Sequence, residues 1–354
     1  MSPDPLPLAD RLARQIASGG PISVAHYIAE ANQHYYATRD PLGADGDFTT
    51  APEISQMFGE LVGLALADIW MRSGRSGQAA YAELGPGRGT LASDALRAMQ
   101  RAGLTPPVHL VETSPALRGR QQALLPTATH HDTIASLPEQ GPLLVVANEF
   151  FDALPVRQCI RVGDEWRERV LLPREEPGRF IAVAGYRRIE SGLPPIAADA
   201  PDGAILESPI AGAEIAYALA QRIARQGGAA IIIDYGYEGP ALGDTLQAVR
   251  AHQFADPFAD PGEVDLTTHV DFTMLGHMAR QAGLRVHGPV GQGSFLRQLG
   301  IDARAAQLAA HTPARAHEVQ DAAHRLTHED AMGTLFKAIA WTHPDWADPA
   351  GFDA

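Results

Sequence analysis

The stretch Tyr81-Ala82-Glu83-Leu84-Gly85-Pro86-Gly87-Arg88-Gly89-Thr90 constrains this chain more than any other. A short apolar run ending in an acid, then three glycines at alternate positions, then a helical pattern reads as strand, tight turn and helix start. Glycine permits positive φ and lets a ligand approach the backbone, and the first amides of the next helix point into the same space. The spacing Gly85-x-Gly87-x-Gly89 is one residue tighter than the G-x-G-x-x-G turn that cradles a pyrophosphate. It favours a ligand without phosphates, and a purely structural turn stands as the alternative until the flanks are read.

The flanks supply the rest of a doubly wound unit. Thr90 is the expected N-cap of a helix that buries Leu91, Ala95, Leu96 and Met99. A strand at 108–112 follows and ends in Glu112, and Ser114-Pro115 caps the next helix. A carboxylate at the end of the second strand can accept both ribose hydroxyls, which assigns Glu112 to ribose over the alternative of a helix cap. A weak third strand leads to Asp132, a candidate contact for an adenine amino group. The fourth strand, Leu143-Leu144-Val145-Val146-Ala147, runs into Asn148-Glu149-Phe150-Phe151-Asp152-Ala153-Leu154-Pro155, where open α/β sheets hold their ligands. The order strand, glycine turn, helix, acid-ended strand, helix predicts an α/β fold with helices on both faces of the sheet.

Upstream, residues 8–37 read as helical with a break at Gly19-Gly20-Pro21, and a long irregular loop occupies 40–53 before a helix from Ile54 to Gly74. Downstream, 156–184 alternates like an inserted antiparallel sheet, and 211–225 reads as a helix that delivers an acid-ended strand at 229–234. Residues 239–265 have no usable period. A helix at 271–282, a strand at 284–287, helical additions over 297–330 and a last strand within 333–341 complete the chain.

Composition narrows the partners. A net charge of −14 argues against nonspecific nucleic-acid binding, which needs many basic side chains, and suits a basic protein partner. The single cysteine, Cys159, excludes an internal disulfide framework and a multi-cysteine metal site, and it reads as a small apolar strand residue. No apolar run is long enough for membrane insertion, and the start lacks the pattern of a secretory signal. A cytoplasmic location is the expectation.

Several long motifs resemble the MidA-like family of S-adenosylmethionine-dependent methyltransferases. They are Glu83-Leu84-Gly85-Pro86-Gly87-Arg88-Gly89, Gly46-Asp47-Phe48-Thr49-Thr50-Ala51-Pro52-Glu53-Ile54-Ser55, Val111-Glu112-Thr113-Ser114-Pro115, the 148–155 stretch, Asp234-Tyr235-Gly236 and Asp265-Leu266-Thr267-Thr268-His269-Val270-Asp271-Phe272. The resemblance covers about residues 10 to 342 and departs at 31–36, where the family tends to carry Leu-Tyr and Gly-Tyr-Tyr. It implies a class I, Rossmann-like seven-stranded sheet with the last strand antiparallel, and S-adenosyl-L-methionine as cofactor. The family includes mitochondrial complex I assembly factors that methylate a protein arginine. The resemblance therefore implies a protein substrate, with a respiratory-complex subunit as one candidate and a homodimer as one candidate assembly.

In this reading residues 1–75 form an N-terminal helical region and lid loop, 76–155 and 205–345 the cofactor-binding domain, and 156–204 a β-rich insert, with further insertions at 238–270 and 293–330. Glu83, Gly85, Gly87, Gly89, Glu112, Asp132, Asn148 and Thr50 are the expected cofactor residues. Methyl transfer is an in-line displacement that needs alignment and charge stabilisation, with no metal or covalent nucleophile. An arginine acceptor stays protonated and calls for carboxylates, which makes Glu149 and Asp152 the first candidates and Asp234 and Asp271 the reserves. Phe150, Phe151 and Tyr235 are candidate cation–π walls, with core packing as the alternative. His269 with Asp271 is a candidate base pair, and His324 with His328 mimics half a metal site without a third ligand. The alternatives are a non-catalytic assembly module on the same fold and a dinucleotide-dependent oxidoreductase.

Overall fold

Alternate residues of the central strands enter opposite cores, which builds a sheet covered on both faces. The computed structural model describes residues 6–38, 50–75, 77–250 and 253–353. Seven strands make the central sheet: β1 Ala80–Leu84, β2 Val108–Val111, β3 Thr129–His131, β4 Leu143–Asn148, β5 Gly228–Tyr237, β6 Arg285–Gly291 and β7 Phe336–Thr342. Their spatial order is β3-β2-β1-β4-β5-β7-β6, with a two-residue strand, Val270–Asp271, beside the end of β5. The pairs from β3 to β5 are parallel, and β7 inserts antiparallel between β5 and β6.

On one face Tyr81, Leu144, Val146, Ile231 and Ile233 pack under the helices Gln56–Arg72 and Thr90–Arg101. On the other Ala82, Val145, Ala147, Ala230 and Ile232 meet Ile210–Gln226 and Phe272–Gln281. A third core lies between the N-terminal helices Leu8–Gly19 and Val24–Thr38 and the inserted strands. That insert is a sheet of Arg157–Val162, Glu165–Pro173, Phe180–Arg188 and Ile205–Ser208, joined at its edge by Ile22–Ser23.

Several local expectations need correction. Thr90 is not the cap: Gly89 holds that position at φ 85°, and the Thr90 hydroxyl instead donates to Glu53 Oε1 at 2.5 Å. The helix expected from Ile54 begins at Gln56, because Ser55 caps it by accepting the Met57 amide. The span 239–265 is not irregular throughout, since Gln247–Arg250 and Gln253–Ala255 pair with each other and with Asp265–Thr267. The last strand starts at Phe336 because Met332–Leu335 forms a helical turn. The expected lid loop falls largely on residues 39–49, outside the described residues.

Close contact of two helices sets the geometry beneath the site. A Cβ built on Gly63 would lie 2.5 Å from the backbone of Ala95, so the helix after Ser55 touches the helix after the glycine turn at its main chain. Gly63→Val forces these backbones apart. It is expected to cost about 3 kcal/mol, read as a lower urea midpoint at unchanged m-value.

Candidate active site

The C-terminal ends of β1, β2, β4 and β5 open on one cavity of about 1100 Å³. Glu83, Gly85, Gly87, Glu112, Asp132, Asn148 and Thr50 all line it, as do Glu149, Asp152 and His269. Gly89 does not, because it starts the helix behind the turn.

Gly85 and Phe150 make the floor. Gly85 has φ 61°, and a Cβ there would meet the Phe150 ring at 2.9 Å, so any side chain both strains the backbone and displaces the ring that lines the cavity. Glu83 is buried behind the turn and accepts the Tyr81 hydroxyl at 2.5 Å; burial pushes its carboxyl up to about 7. Glu112 accepts the Ser114 amide at 2.8 Å, and its carboxyl is also raised by burial, with the Ser114 and Thr113 amides opposing. Asp132 lies at the rim, exposed and ion-paired with Arg118 at 2.6 Å.

Sequence reasoning missed the residue that ties this half together. Gln121 is fully buried, and its amide nitrogen donates to the Gly87 carbonyl at 2.6 Å and to Glu112 Oε2 at 3.4 Å. Its amide oxygen faces His130 Nε2 at 3.0 Å. Because the Gly87 carbonyl can only accept, the amide orientation is fixed, and His130 must present an Nε2 proton. A polar residue on the buried face of a helix was the available signal.

The other half is acidic. Asn148 ends β4, and Glu149 turns the chain with φ 49°, a left-handed conformation that costs a non-glycine residue about 1–2 kcal/mol. Glu149 Oε1 accepts the Ala51 amide and the Asn148 side-chain amide, both at 3.2 Å. Burial, then the nearby Asp152, raises the Glu149 carboxyl to about 7. Burial likewise raises Asp152 to about 6, with the Tyr235 hydroxyl and backbone amides opposing. Asn148 Oδ1 and Asp152 Oδ1 are buried without a hydrogen-bond partner among the described residues. Acceptors left unpaired inside a cavity call for a donor-rich ligand.

Two of the expected acids are structural. Asp234 is fully buried and accepts the amides of Phe151, Asp152 and Tyr235, and Asp271 caps a helix by accepting the Thr273 and Met274 amides. The His269–Asp271 base pair is therefore replaced by another arrangement. The His269 amide donates to Thr245 Oγ1 at 3.0 Å, and its ring meets Tyr235 edge-on at 5.5 Å. Burial lowers the pKa of His269. Phe150 and Tyr235 line the cavity, whereas Phe151 packs into the core beneath the sheet. His324 and His328 stack on one another at 4.2 Å.

Asn32, Tyr36 and Asp265 complete the acidic wall and were not singled out from sequence. Asn32 bonds both the amide and the carbonyl of Leu266, and Tyr36 donates to Asp265 Oδ1 at 2.9 Å. Their contacts cross more than 200 positions of chain, which no local pattern reveals.

This strand order, with acids at the ends of adjacent parallel strands around a glycine turn, defines a nucleoside-binding α/β enzyme. Residues 61–290 match the family described as "S-adenosyl-L-methionine-dependent methyltransferase", and the chain belongs to that family. The oxidoreductase alternative falls with this result. The mitochondrial protein arginine methyltransferase NDUFAF7 homolog of Drosophila melanogaster is 37% identical over 374 residues, covering 94% of this chain and 84% of its own length. The Danio rerio protein arginine methyltransferase NDUFAF7 is 38% identical over 83% of this chain and 76% of its own. The Homo sapiens protein is 34% identical over 84% and 74% respectively. A crystal structure of a Burkholderia thailandensis protein bound to S-adenosyl-homocysteine has a TM-score of 0.82 at 28% identity, covering 98% of this chain and 92% of that one. The expected cytoplasmic location does not stand, because these curated relatives are mitochondrial proteins.

Burial of ionisable Glu149 has a consequence for stability. Its carboxyl titrates near 7 in the fold and near 4.5 in an unfolded chain, so the folded state binds the extra proton between those values. The ligand-free protein therefore loses stability as pH rises through that window. Glu149→Gln keeps the Oε1 acceptor and removes the charge. It is expected to raise the unfolding free energy by about 1 kcal/mol or more at pH 8 and to change little at pH 5, as read from denaturation curves at the two pH values.

Proposed function

We propose that this protein transfers a methyl group from S-adenosyl-L-methionine to a guanidinium nitrogen of an arginine in a protein substrate. The observation that carries the reading is the charge of the cavity. Its described lining holds seven acids against two arginines, Arg88 and Arg325. Both the sulfonium of the donor and a guanidinium are cations, and a wall of carboxylates beside unpaired acceptors fits them. The names of the curated relatives support arginine as the acceptor.

The residues present fit the cofactor. Gly85 lets the Phe150 ring pack against the turn, Glu112 stands at the end of β2 to accept ribose hydroxyls, and Asn148 Oδ1 has no partner of its own among the described residues. Glu83, Gly85, Gly87, Glu112, Asp132, Asn148 and Thr50 are the residues we assign to holding it, with Gly89 setting the helix behind them. When bound, the cofactor supplies an electrophilic methyl group on sulfur.

Glu149 and Asp152 then orient the acceptor arginine and balance its charge. Glu149 Oε1 is occupied by two N–H donors, which leaves Oε2 to take the proton that the guanidinium releases on methylation. A carboxyl near 7 is suited to that task at neutral pH. His269 acts by holding the Tyr235 ring against the site. We further propose that 76–155 and 209–345, apart from the insertions at 238–270 and 293–330, serve the cofactor, that the described residues of 1–75 close over it, and that 156–208 and those two insertions select the acceptor; the boundary expected at 204 moves to 208 because Ile205–Ser208 pairs with Arg157–Val162. A respiratory-complex subunit as substrate and a homodimer as assembly belong to the same reading, and sedimentation tests the latter.

The test uses labelled S-adenosyl-L-methionine with arginine peptides and with mitochondrial protein. Label on arginine is the expected result; cofactor binding without transfer would favour a non-catalytic assembly module. Gly85→Val is expected to abolish calorimetric binding of S-adenosyl-homocysteine while the circular dichroism spectrum persists, and unchanged affinity contradicts the assignment. The acceptor also carries a pH signature. Guanidinium stays charged throughout, whereas Asp152 and Glu149 ionise near 6 and 7. The acceptor KM is therefore expected to fall as pH rises from about 5.5 to about 8 and then to level off, and Glu149→Gln flattens the upper part of that profile.

A further inference from the structure

We propose that the small sheet of Gln247–Arg250, Gln253–Ala255 and Asp265–Thr267 is the docking platform for the acceptor, an extended polypeptide that carries an apolar side chain two residues from its arginine. The proposal rests on the arginine reading above and adds the part of the substrate that the reading leaves open.

Strand register fixes which residues face the cavity. Val249 pairs with Phe254 on one side and with Asp265 on the other, and Gln247 pairs with Thr267. All five line the cavity, while Ala248 and Leu266, at the alternate positions, are fully buried in the N-terminal core. Asp265, Val249 and Phe254 therefore form one row across three strands. The row runs from an acid 5% exposed beside the catalytic carboxylates to a phenylalanine 82% exposed at the rim.

A single exposed apolar residue is ordinary on a protein surface. Phe254 differs because it ends a row that begins in the acidic site, and because of how the two edges of the sheet are treated. The Asp265–Thr267 edge is closed by the Asn32 side chain, which accepts the Leu266 amide at 3.1 Å and donates to its carbonyl at 2.7 Å. The Gln253–Ala255 edge has no backbone partner among the described residues beyond Gln247–Arg250. With no described strand beyond it, the Phe254 end of the row stays open to an apolar side chain, and an extended partner lies over this face along the row, across the three strands.

Charge complementarity commits the occupant. Asp152 and Asp265 at the inner end select a cation, and Phe254 at the outer end selects an apolar side chain. Two strand spacings separate the ends of the row by about 10 Å. In an extended chain, residues two apart share a face and lie about 7 Å from one another. The reach of an arginine side chain covers the remainder. An apolar residue at the second position before or after the arginine would thus rest on Phe254 while the guanidinium enters the acids.

Three short synthetic peptides test this, each with a central arginine in a glycine–serine background, two of them carrying leucine two positions before or two positions after it. Methyl transfer from labelled S-adenosyl-L-methionine is measured with the full chain and with Phe254→Ser. One leucine peptide is expected to have a KM about fivefold below that of the plain peptide at similar kcat, and Phe254→Ser is expected to erase the difference. Equal KM for all three peptides, or a leucine advantage that survives Phe254→Ser, would overturn the platform alone. Transfer to none of them would overturn the arginine reading and the platform with it. A change of oligomeric state in Phe254→Ser without a change in KM would instead make this face a contact between two copies of the chain, and would overturn the proposal.

Discussion

Three carboxylates crowd the ends of β4 and β5, and the rest of the site depends on how their repulsion is contained. Asp234 is the anchor. It is fully buried, and its oxygens accept the Tyr235 amide at 2.9 Å, the Phe151 amide at 3.1 Å and the Asp152 amide at 3.3 Å. Those bonds fix the peptides at 151 and 152. They turn Phe151 into the core and hold Asp152 at the cavity, while Phe150 rests under the glycine turn. Burial, followed by the charges of Asp152 and Glu149, pushes the Asp234 carboxyl far above its usual range. The backbone donors offset part of the cost of keeping that acid in the core.

The arrangement leaves the site poised for cations. Glu149 sits in a backbone conformation unusual for its type and titrates near 7, and Asp152 titrates near 6 with one oxygen unpaired. The raised carboxyls and the unpaired oxygen are costs to the ligand-free fold that a positively charged, donor-rich ligand relieves, whereas the left-handed backbone at Glu149 is a cost that stays. Such strain persists only where surrounding structure holds it. Here the amide of Ala51 holds the Glu149 carboxyl from the N-terminal side.

The half of the cavity around the glycine turn was legible because its residues are consecutive. Glu83 to Gly89 and Val111 to Ser114 each carry strand end, turn and helix start within one short stretch, and the continuous apolar runs at 143–147 and 229–233 announce the central strands, which are buried on both faces. Thr90 misled because a threonine at a helix start normally caps it, whereas here its hydroxyl is engaged by Glu53 across the turn. Asp271 and Asp234 could be ranked only once their amide partners were visible. The strands at 247–250 and 253–255 escaped notice because each is too short to show a period and is held by pairing with a distant segment.

That division in legibility follows a division in chemistry. A cofactor of fixed shape can be held by local motifs on the rigid strand ends, with Gln121 locking the glycine turn to Glu112. An acceptor of protein size needs a surface assembled from remote parts. Asn32 reaches Leu266 across 234 positions and Tyr36 reaches Asp265 across 229, so the acidic wall forms only when the N-terminal helix docks on the small sheet. In the proposed reading, donor recognition is thus written into short stretches of sequence, and acceptor recognition into the tertiary fold. Substitutions at the helix–sheet contact can then retune the acceptor side while the Gly85 turn and Glu112 stay as they are.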